Sequence, residues 1–279
     1  KFSYGLGLAL GKYLGRGRAL VARDPRPGAK EITQALIKGL QKAGIEVEAS
    51  GILPTPELTW YQVKQGADLG VSVTGSHLPW NMIGTAVFHL DDELLELMRA
   101  SGCCYMDLAV ESGIPRILRE IIHKPVDLQR VPRLVQKARA LGIDVAAHII
   151  IGFPGETRDE IRRSIRYLEE LNADYAKIFV AIPLKHTRLY TLALKAGALR
   201  KTFGFDRIDW SEGQTETAEF TARDLTLLRA REWDRINFTD PARRVKIAAM
   251  MGIGLDRLNA IREETLRTAD SSNAGPQPN

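Results

Sequence analysis

Cysteine is nearly absent: Cys103 and Cys104 stand side by side in a chain of 279 residues, and there are no others. That excludes a disulfide framework and fits a reducing, cytoplasmic environment. No apolar run reaches the roughly 18 residues of a membrane span, so none is expected. Histidine is scarce too. His77, His89, His123, His148 and His186 include no i, i+4 pair, and no metal site is expected from them. No cluster of Lys and Arg is interleaved with aromatics, which argues against a nucleic-acid partner. The sequence begins at Lys1 without Met or a signal-peptide pattern, so it is expected to start inside a longer reading frame.

What is present is an ordinary globular composition, long enough for one large domain or two modest ones. The net charge of +5 is uneven, because residues 1–88 carry ten Lys and Arg against six Asp and Glu. Such an excess suits a phosphorylated small molecule, or simply a solvated face.

Taken in order, Leu6, Leu10 and Leu14 predict a helix over residues 2–15. Gly5, Gly7 and Gly11 follow no strand and have the wrong spacing for a dinucleotide loop. A strand over 19–22 ends in Arg23-Asp24-Pro25-Arg26. A helix from 29 to 43 is stopped by Gly44, and a strand over 46–49 leads to Leu53-Pro54-Thr55-Pro56. A helix to Gln65 and a strand over 69–73 then deliver Thr74-Gly75-Ser76-His77. This alternation predicts a parallel sheet with helical crossovers, and its catalytic loops are expected beyond the carboxyl ends of the strands. Arg23, Arg26 and Ser76 are thereby aimed at one edge, a candidate phosphate site in which arginines supply forked bonds and turn N–H groups add dipoles. Ser76 and His77, adjacent in a turn, are not expected to pair as nucleophile and base.

Beyond His89 the sequence changes character. Asp91-Asp92-Glu93 should open a helix, complementing its macrodipole rather than holding a metal. Strands over 105–110, 145–151 and 175–181 alternate with helices at about 115–122 and 128–141, then 158–171 and 189–196. Such β/α units belong to part of a barrel. Two loops follow strand ends, Glu111-Ser112-Gly113 and Gly152-Phe153-Pro154-Gly155-Glu156-Thr157. Thr157 with Glu160 predicts a capping box. Leu225, Leu228, Trp233, Ile236 and Phe238 mark a C-terminal helix. Arg243, Arg244 and Lys246 are expected to be solvated, Cys103 to be a small buried residue, and the tail from Ala269 to be disordered. The expected layout is therefore an α/β unit over 1–88, a partial β/α barrel over 89–200, a helical extension over 201–268 and a tail over 269–279.

Arg23-Asp24-Pro25-Arg26, Leu53-Pro54-Thr55-Pro56 and Thr74-Gly75-Ser76-His77-Leu78-Pro79-Trp80-Asn81 resemble, in order and spacing, the first domain of the alpha-D-phosphohexomutases (phosphomannomutase, phosphoglucomutase). The resemblance implies that Ser76 is a phosphoserine, with His77 beside it, transferring phosphate to and from a hexose. Ile83-Gly84-Thr85-Ala86 departs from the family's usual continuation. The Asp-rich magnesium loop and the later domains do not appear, so magnesium is implied only together with them.

Ala100-Ser101-Gly102-Cys103, Val110-Glu111-Ser112-Gly113 and His148-Ile149-Ile150-Ile151-Gly152-Phe153-Pro154-Gly155-Glu156 resemble the C-terminal half of a radical S-adenosylmethionine (SAM) barrel of the cobalamin-associated kind. The resemblance implies that Glu111 contacts the SAM ribose, with Ser112 and Gly113 beside it, and that the loop from Gly152 to Gly155 flanks the adenine and methionine. Ile182-Pro183-Leu184-Lys185-His186-Thr187 departs from the family's usual Tyr-Pro-Gly. That family's cluster loop, Cys-x3-Cys-x2-Cys, is lacking, and adjacent cysteines on a strand face opposite ways, so an iron–sulfur cluster is not supported. Three roles follow for a small-molecule partner, phosphosugar or nucleoside. The chain is a radical SAM-derived protein with a residual SAM pocket, a phosphohexomutase-derived module using Ser76, or a non-catalytic fusion of two enzyme fragments. The mutase strands are expected to continue the barrel strands in one sheet.

Overall fold

A computed structural model describes residues 2–74, 84–87, 91–124 and 126–271. The chain divides into two compact units, residues 1–104 with 136–143, and residues 105–135 with 144–279.

The first unit runs α1 (Phe2–Leu14), β1 (Arg18–Arg23), α2 (Ala29–Lys42), β2 (Glu46–Ile52), α3 (Thr55–Gln65), β3 (Leu69–Thr74), β4 (Gly84–Val87) and α4 (Asp92–Ala100). Its strands are ordered β2-β1-β3-β4, with β1 parallel to both neighbours. The central strands β1 and β3 are buried along almost their whole length, which is why each is a continuous apolar run rather than an alternating one. Leu20 and Ala22 pack with Leu58 of α3 and Ala67. β4 is antiparallel to β3, a departure from the purely parallel expectation. Asp91 caps α4 by accepting from the Leu94 N–H and also accepts from the Tyr13 hydroxyl at 2.6 Å.

The glycines of α1 serve packing. A Cβ on Gly7 would lie 2.2 Å from the Leu36 carbonyl oxygen, and one on Gly39 of α2 would lie 2.3 Å from that of Tyr4. The two backbones meet where neither helix has a side chain, and any added carbon must push them apart. Gly39→Ala is expected to destabilise the chain by about 1–3 kcal/mol, seen as a lower urea midpoint with unchanged slope. An unchanged midpoint would mean the helices are not in close contact there.

The second unit contains β5 (Tyr105–Glu111), a π-helical turn (Ile117–Ile122), α5 (Val131–Ala140), β6 (Asp144–Ile151), α6 (Arg158–Glu170), β7 (Tyr175–Val180), α7 (Arg188–Lys195), α8 (Ala222–Phe238), α9 (Pro241–Met251) and α10 (Leu255–Ser271). Residues 136–143 of this stretch group with the first unit. Its strands form a parallel sheet, β5-β6-β7. The expected single continuous sheet is therefore not formed: the described strands make two sheets, of four and three strands, and neither closes into a barrel. The β5-β6-β7 sheet is buried on one face, with Met106, Val110, Val145, Ile149, Ile151, Ile178 and Val180. The predicted capping box of Thr157 and Glu160 starts α6.

Three further corrections concern the C-terminal helices. Arg243 donates to the carbonyls of Ile236 and Ala173, and Arg244 to that of Phe238. Lys246 bridges Asp144 and Asp174 at 3.0 and 2.7 Å. Arg243 and Arg244 are anchors rather than solvated charges, because the carbonyls at helix and strand ends require donors, whereas Lys246 stays exposed while pairing with the buried Asp174 carboxylate. The helix α10 continues through Ser271 with Ala269 buried, so the chain is helical past Ala269; residues 272–279 lie outside the described residues. Cys103 is buried, as its small apolar character predicts, and Cys104 is exposed.

Candidate functional site

In the first unit, parallel pairing sets the carboxyl ends of β1, β2 and β3 side by side. Arg23 is in register with Ile52 of β2 and Val73 of β3. The loops are tied at these ends: Leu53 N–H donates to the Arg23 carbonyl at 3.2 Å and Asp24 N–H to that of Val73 at 3.0 Å. Asp24 organises the basic turn. Its carboxylate accepts from the Arg26 N–H at 3.1 Å and faces the Arg26 Nε at 3.5 Å, while Arg23 Nη1 donates to the Asp24 carbonyl at 3.0 Å. Arg23, Arg26 and Thr74, the residue before the predicted serine loop, thus share one sheet edge. Ser76 and His77 themselves lie outside the described residues.

In the second unit, Glu111 ends β5 at a register shift and in a left-handed conformation, φ 68°. That backbone is uncommon for a residue with a Cβ. Lys124 holds it there, donating to Glu111 Oε1 at 2.9 Å and to the Ala109 carbonyl at 2.7 Å. Glu111 Oε2 is buried and has no hydrogen-bond partner.

Ser112 and Gly113 bind the loop to α6. The Ser112 hydroxyl, fully buried, lies 3.1 Å from that of Ser164 and accepts from Ile114 N–H, and Gly113 N–H donates to Ser164. A Cβ on Gly113 would meet that of Tyr167 at 2.8 Å.

The loop after β6 is closed on itself. The Gly152 and Phe153 N–H groups converge on Glu156 Oε2 at 2.7 and 3.1 Å. The Gly152 carbonyl accepts from the Thr215 hydroxyl at 2.6 Å, and that of Gly155 from Arg116 at 2.9 Å. Burial raises the Glu156 pKa to about 8, against the two N–H bonds that lower it. Its neighbour Glu160 is held at about 2, chiefly by the forked bond from Arg116. Apolar packing under this loop comes from Ile114, Ile117, Phe153 and Ala181.

A further set of groups is not evident from the sequence motifs. The less buried face of the β5-β6-β7 sheet carries Tyr105 and Asp107 from β5, His148 from β6, and Tyr175, Lys177 and Phe179 from β7. Asp107 Oδ1 lies 3.1 Å from His148 Nδ1, and its other oxygen takes Lys177, whose Nζ also reaches the Tyr105 hydroxyl at 3.4 Å. Burial opposes ionisation of Asp107, but the His148 hydrogen bond and the Lys177 charge outweigh it and hold the pKa at about 2. His148 Nε2 lies 3.8 Å from Glu111 Oε2. The available signal was the alternation of polar and apolar residues along β5 and β7. Among the described residues no group of three or more His, Cys, Asp or Glu could hold a metal ion, and no helix is long and apolar enough to cross a membrane.

Residues 1–93 match the family model described as phosphoglucomutase/phosphomannomutase, alpha/beta/alpha domain I. A cytidylyl-2-hydroxyethylphosphonate methyltransferase of Streptomyces wedmorensis is 36% identical over 143 residues, 49% of this chain and 27% of that one. A probable phosphoglucosamine mutase of Pyrococcus furiosus is 37% identical over 132 residues, 47% of this chain and 26% of its own. The chain thus spans about a quarter of the length of these relatives. Among solved structures, the radical SAM methyltransferase TsrM from Kitasatospora setae, with cobalamin and a [4Fe-4S] cluster bound, is similar at TM-score 0.40 and 18% identity, over 66% of this chain and 43% of that one. The chain accordingly carries a phosphohexomutase domain I-like region and resembles methyltransferases as well.

Proposed function

We propose that the second unit is a radical SAM-derived partial barrel retaining a nucleoside pocket, with Glu111 as the contact to the ribose of SAM. The observation that carries this is the Glu111 carboxylate: one oxygen is fixed by Lys124, and the other is buried without a donor. A buried acceptor left unpaired is costly, and a ligand hydroxyl would satisfy it. Ser112 and Gly113 would act by fixing the Glu111 loop on α6. Gly152 and Gly155 would shape the pocket wall, since the loop's inner N–H groups are already taken by Glu156. Bound there, SAM would supply a sulfonium-activated carbon.

The residues do not fit a [4Fe–4S] cluster. Cys103 is buried and Cys104 exposed, and three thiolates are the minimum for an iron left open to SAM. No radical step is therefore assigned to this chain's own residues.

Wild-type chain is expected to unfold at a higher temperature in excess SAM. Glu111→Ala should bind SAM roughly tenfold or more weakly by equilibrium dialysis, the effect of one charge-assisted bond. If SAM leaves the wild-type transition unmoved, the pocket is not there.

A second role, in the first unit, is supported by Arg23, Arg26, Leu53 and Thr74, which lie at the carboxyl ends of neighbouring strands. There a phosphosugar would meet Arg23 and Arg26, and Ser76 would carry the phosphoryl group. Incubation with a hexose bisphosphate should then phosphorylate Ser76, detected by mass spectrometry, and leave Ser76→Ala unmodified. Failure of both experiments would favour a non-catalytic fusion.

A further inference from the structure

In the second unit a cavity of about 160 Å³ lies between α8, α10 and the segment at Ser211 and Glu212. An engineered cavity of about 150 Å³ takes up benzene, so this space suits a ligand of roughly six to eight heavy atoms. Arg229 of α8 lines it, half-buried, with its Nε enclosed and without a hydrogen-bond partner. Burial lowers the Arg229 pKa, while Tyr175 and Asp209 act on it only through space to raise it. Asp209 is otherwise engaged: its Oδ1 accepts from the Ser211 N–H at 2.7 Å and from the Ser211 hydroxyl at 2.6 Å. A guanidinium partly withdrawn from water without an acceptor is costly, and a forked oxyanion is the group that matches it. The other polar groups of the wall need the opposite. The hydroxyls of Ser211, Thr226 and Thr265 spend their protons on Asp209 and on the carbonyls of Ala222 and Ile261. They can therefore offer a ligand only lone pairs. Glu212 is paired with Arg200 at 2.9 Å, whereas Glu264 of α10 enters no ion pair among the described residues. One cation lacking an acceptor thus shares the cavity with a set of acceptors lacking donors, a carboxylate among them.

We infer that this cavity binds a small α-amino acid as its zwitterion, with the carboxylate on Arg229 and the ammonium among Glu264 and the accepting hydroxyls. A simple carboxylate would leave those acceptors unpaired, and a phosphate would add repulsion from Glu264. Ile261 and Ala269 supply the apolar part of the wall, which suits a short aliphatic side chain. The inference shares no residue with the Glu111 pocket and does not rest on it.

A ligand of this size should bind with a Kd on the order of a millimolar, so the test uses saturation-transfer NMR titrations of the full chain. The probes are L-alanine, propionate, L-alaninamide and inorganic phosphate. Wild type should bind L-alanine about fivefold or more tightly than each of the other three, since each lacks one of the two complementary charges. Arg229→Gln should weaken L-alanine binding roughly tenfold or more, and Arg229→Lys, which keeps the charge without the fork, should weaken it less. Glu264→Gln changes an exposed side chain and leaves the fold intact. It should narrow the preference for L-alanine over propionate by about threefold, and so tests the inference even where Arg229→Gln fails to fold. Equal wild-type affinity for L-alanine and phosphate would make this a general anion site and overturn the assignment. L-alanine binding unchanged in both Arg229→Gln and Glu264→Gln would place the amino acid elsewhere on the chain. No binding of L-alanine by wild type would mean that water alone satisfies Arg229, and the inference falls.

Discussion

Replacing Asn237 by Leu should lower the stability of the second unit by about 3–5 kcal/mol. Asn237 is fully buried on α8 and makes three bonds: it accepts from the Ala176 N–H at 2.9 Å and donates to the carbonyls of Ala176 and Trp233, each at 2.8 Å. Ala176 lies on β7, the edge strand of the sheet. Its N–H and C=O would pair with a further strand if one were present; here one side-chain amide supplies both the acceptor and the donor. Leucine has as many side-chain heavy atoms, so the change leaves no cavity, but its bulkier methyls add overpacking to the polar loss. Each backbone group stranded in the interior carries a desolvation penalty of about 1–3 kcal/mol. The melting temperature should fall by roughly 10 °C for a unit of this size. Asn237→Asp is a second probe, since a carboxylate keeps the acceptor but gives up both donors. A loss below about 1 kcal/mol for both variants would mean that the edge of β7 is satisfied in some other way.

The architecture of the first unit was largely legible in the sequence. Its helices and strands follow the apolar pattern and the Gly44 stop to within a few residues, because each is a strongly periodic segment or a short buried run. β4 was missed. It has only four residues, and its antiparallel return depends on a turn that the strand pattern does not encode. The bonding of Arg243, Arg244 and Lys246 was illegible because their partners lie up to about 70 positions away in sequence.

The candidate site was legible at its backbone landmarks and not in its chemistry. Glu111 and the glycine loop stand at strand ends, where a sequence can locate them. The Asp107-His148-Lys177 chain comes from three strands, and parallel register, not spacing along the chain, sets His148 opposite both Ala109 and Lys177. A search for histidines four residues apart tests one helix face, and cannot find a pair formed across a sheet. Ser112 and Gly113 illustrate the converse. Their position beside Glu111 is explained by their bonds to α6, which only the fold reveals.

The pH dependence of stability should carry the signature of Glu156. Burial raises its pKa from 4.5 to about 8 despite the two N–H bonds it accepts. A raised folded-state value means that between about 4.5 and 8 the folded chain holds more protons than the unfolded chain. The free energy of unfolding therefore declines as pH rises through that window and levels off above it. The total change is on the order of 5 kcal/mol, given the size of the shift. Asp107 and Glu160, held at about 2, act oppositely and elsewhere: their contribution is complete above about 4.5 and is lost only as pH falls toward 2. Urea titrations at pH 5, 7 and 9 separate the two ranges. Glu156→Gln keeps an oxygen for the Gly152 and Phe153 N–H groups but has no charge to bury. At pH 5 it should be slightly less stable than wild type, because its NH2 takes the place of Oε1, which has no partner. At pH 9 it should be the more stable protein, and its profile between 5 and 9 should lack the Glu156 contribution. A Gln variant as pH-dependent as wild type would show that Glu156 is ionised throughout. The N–H pair at the mouth of β6 would then outweigh burial, and the loop would hold a fixed negative charge beside the proposed nucleoside pocket.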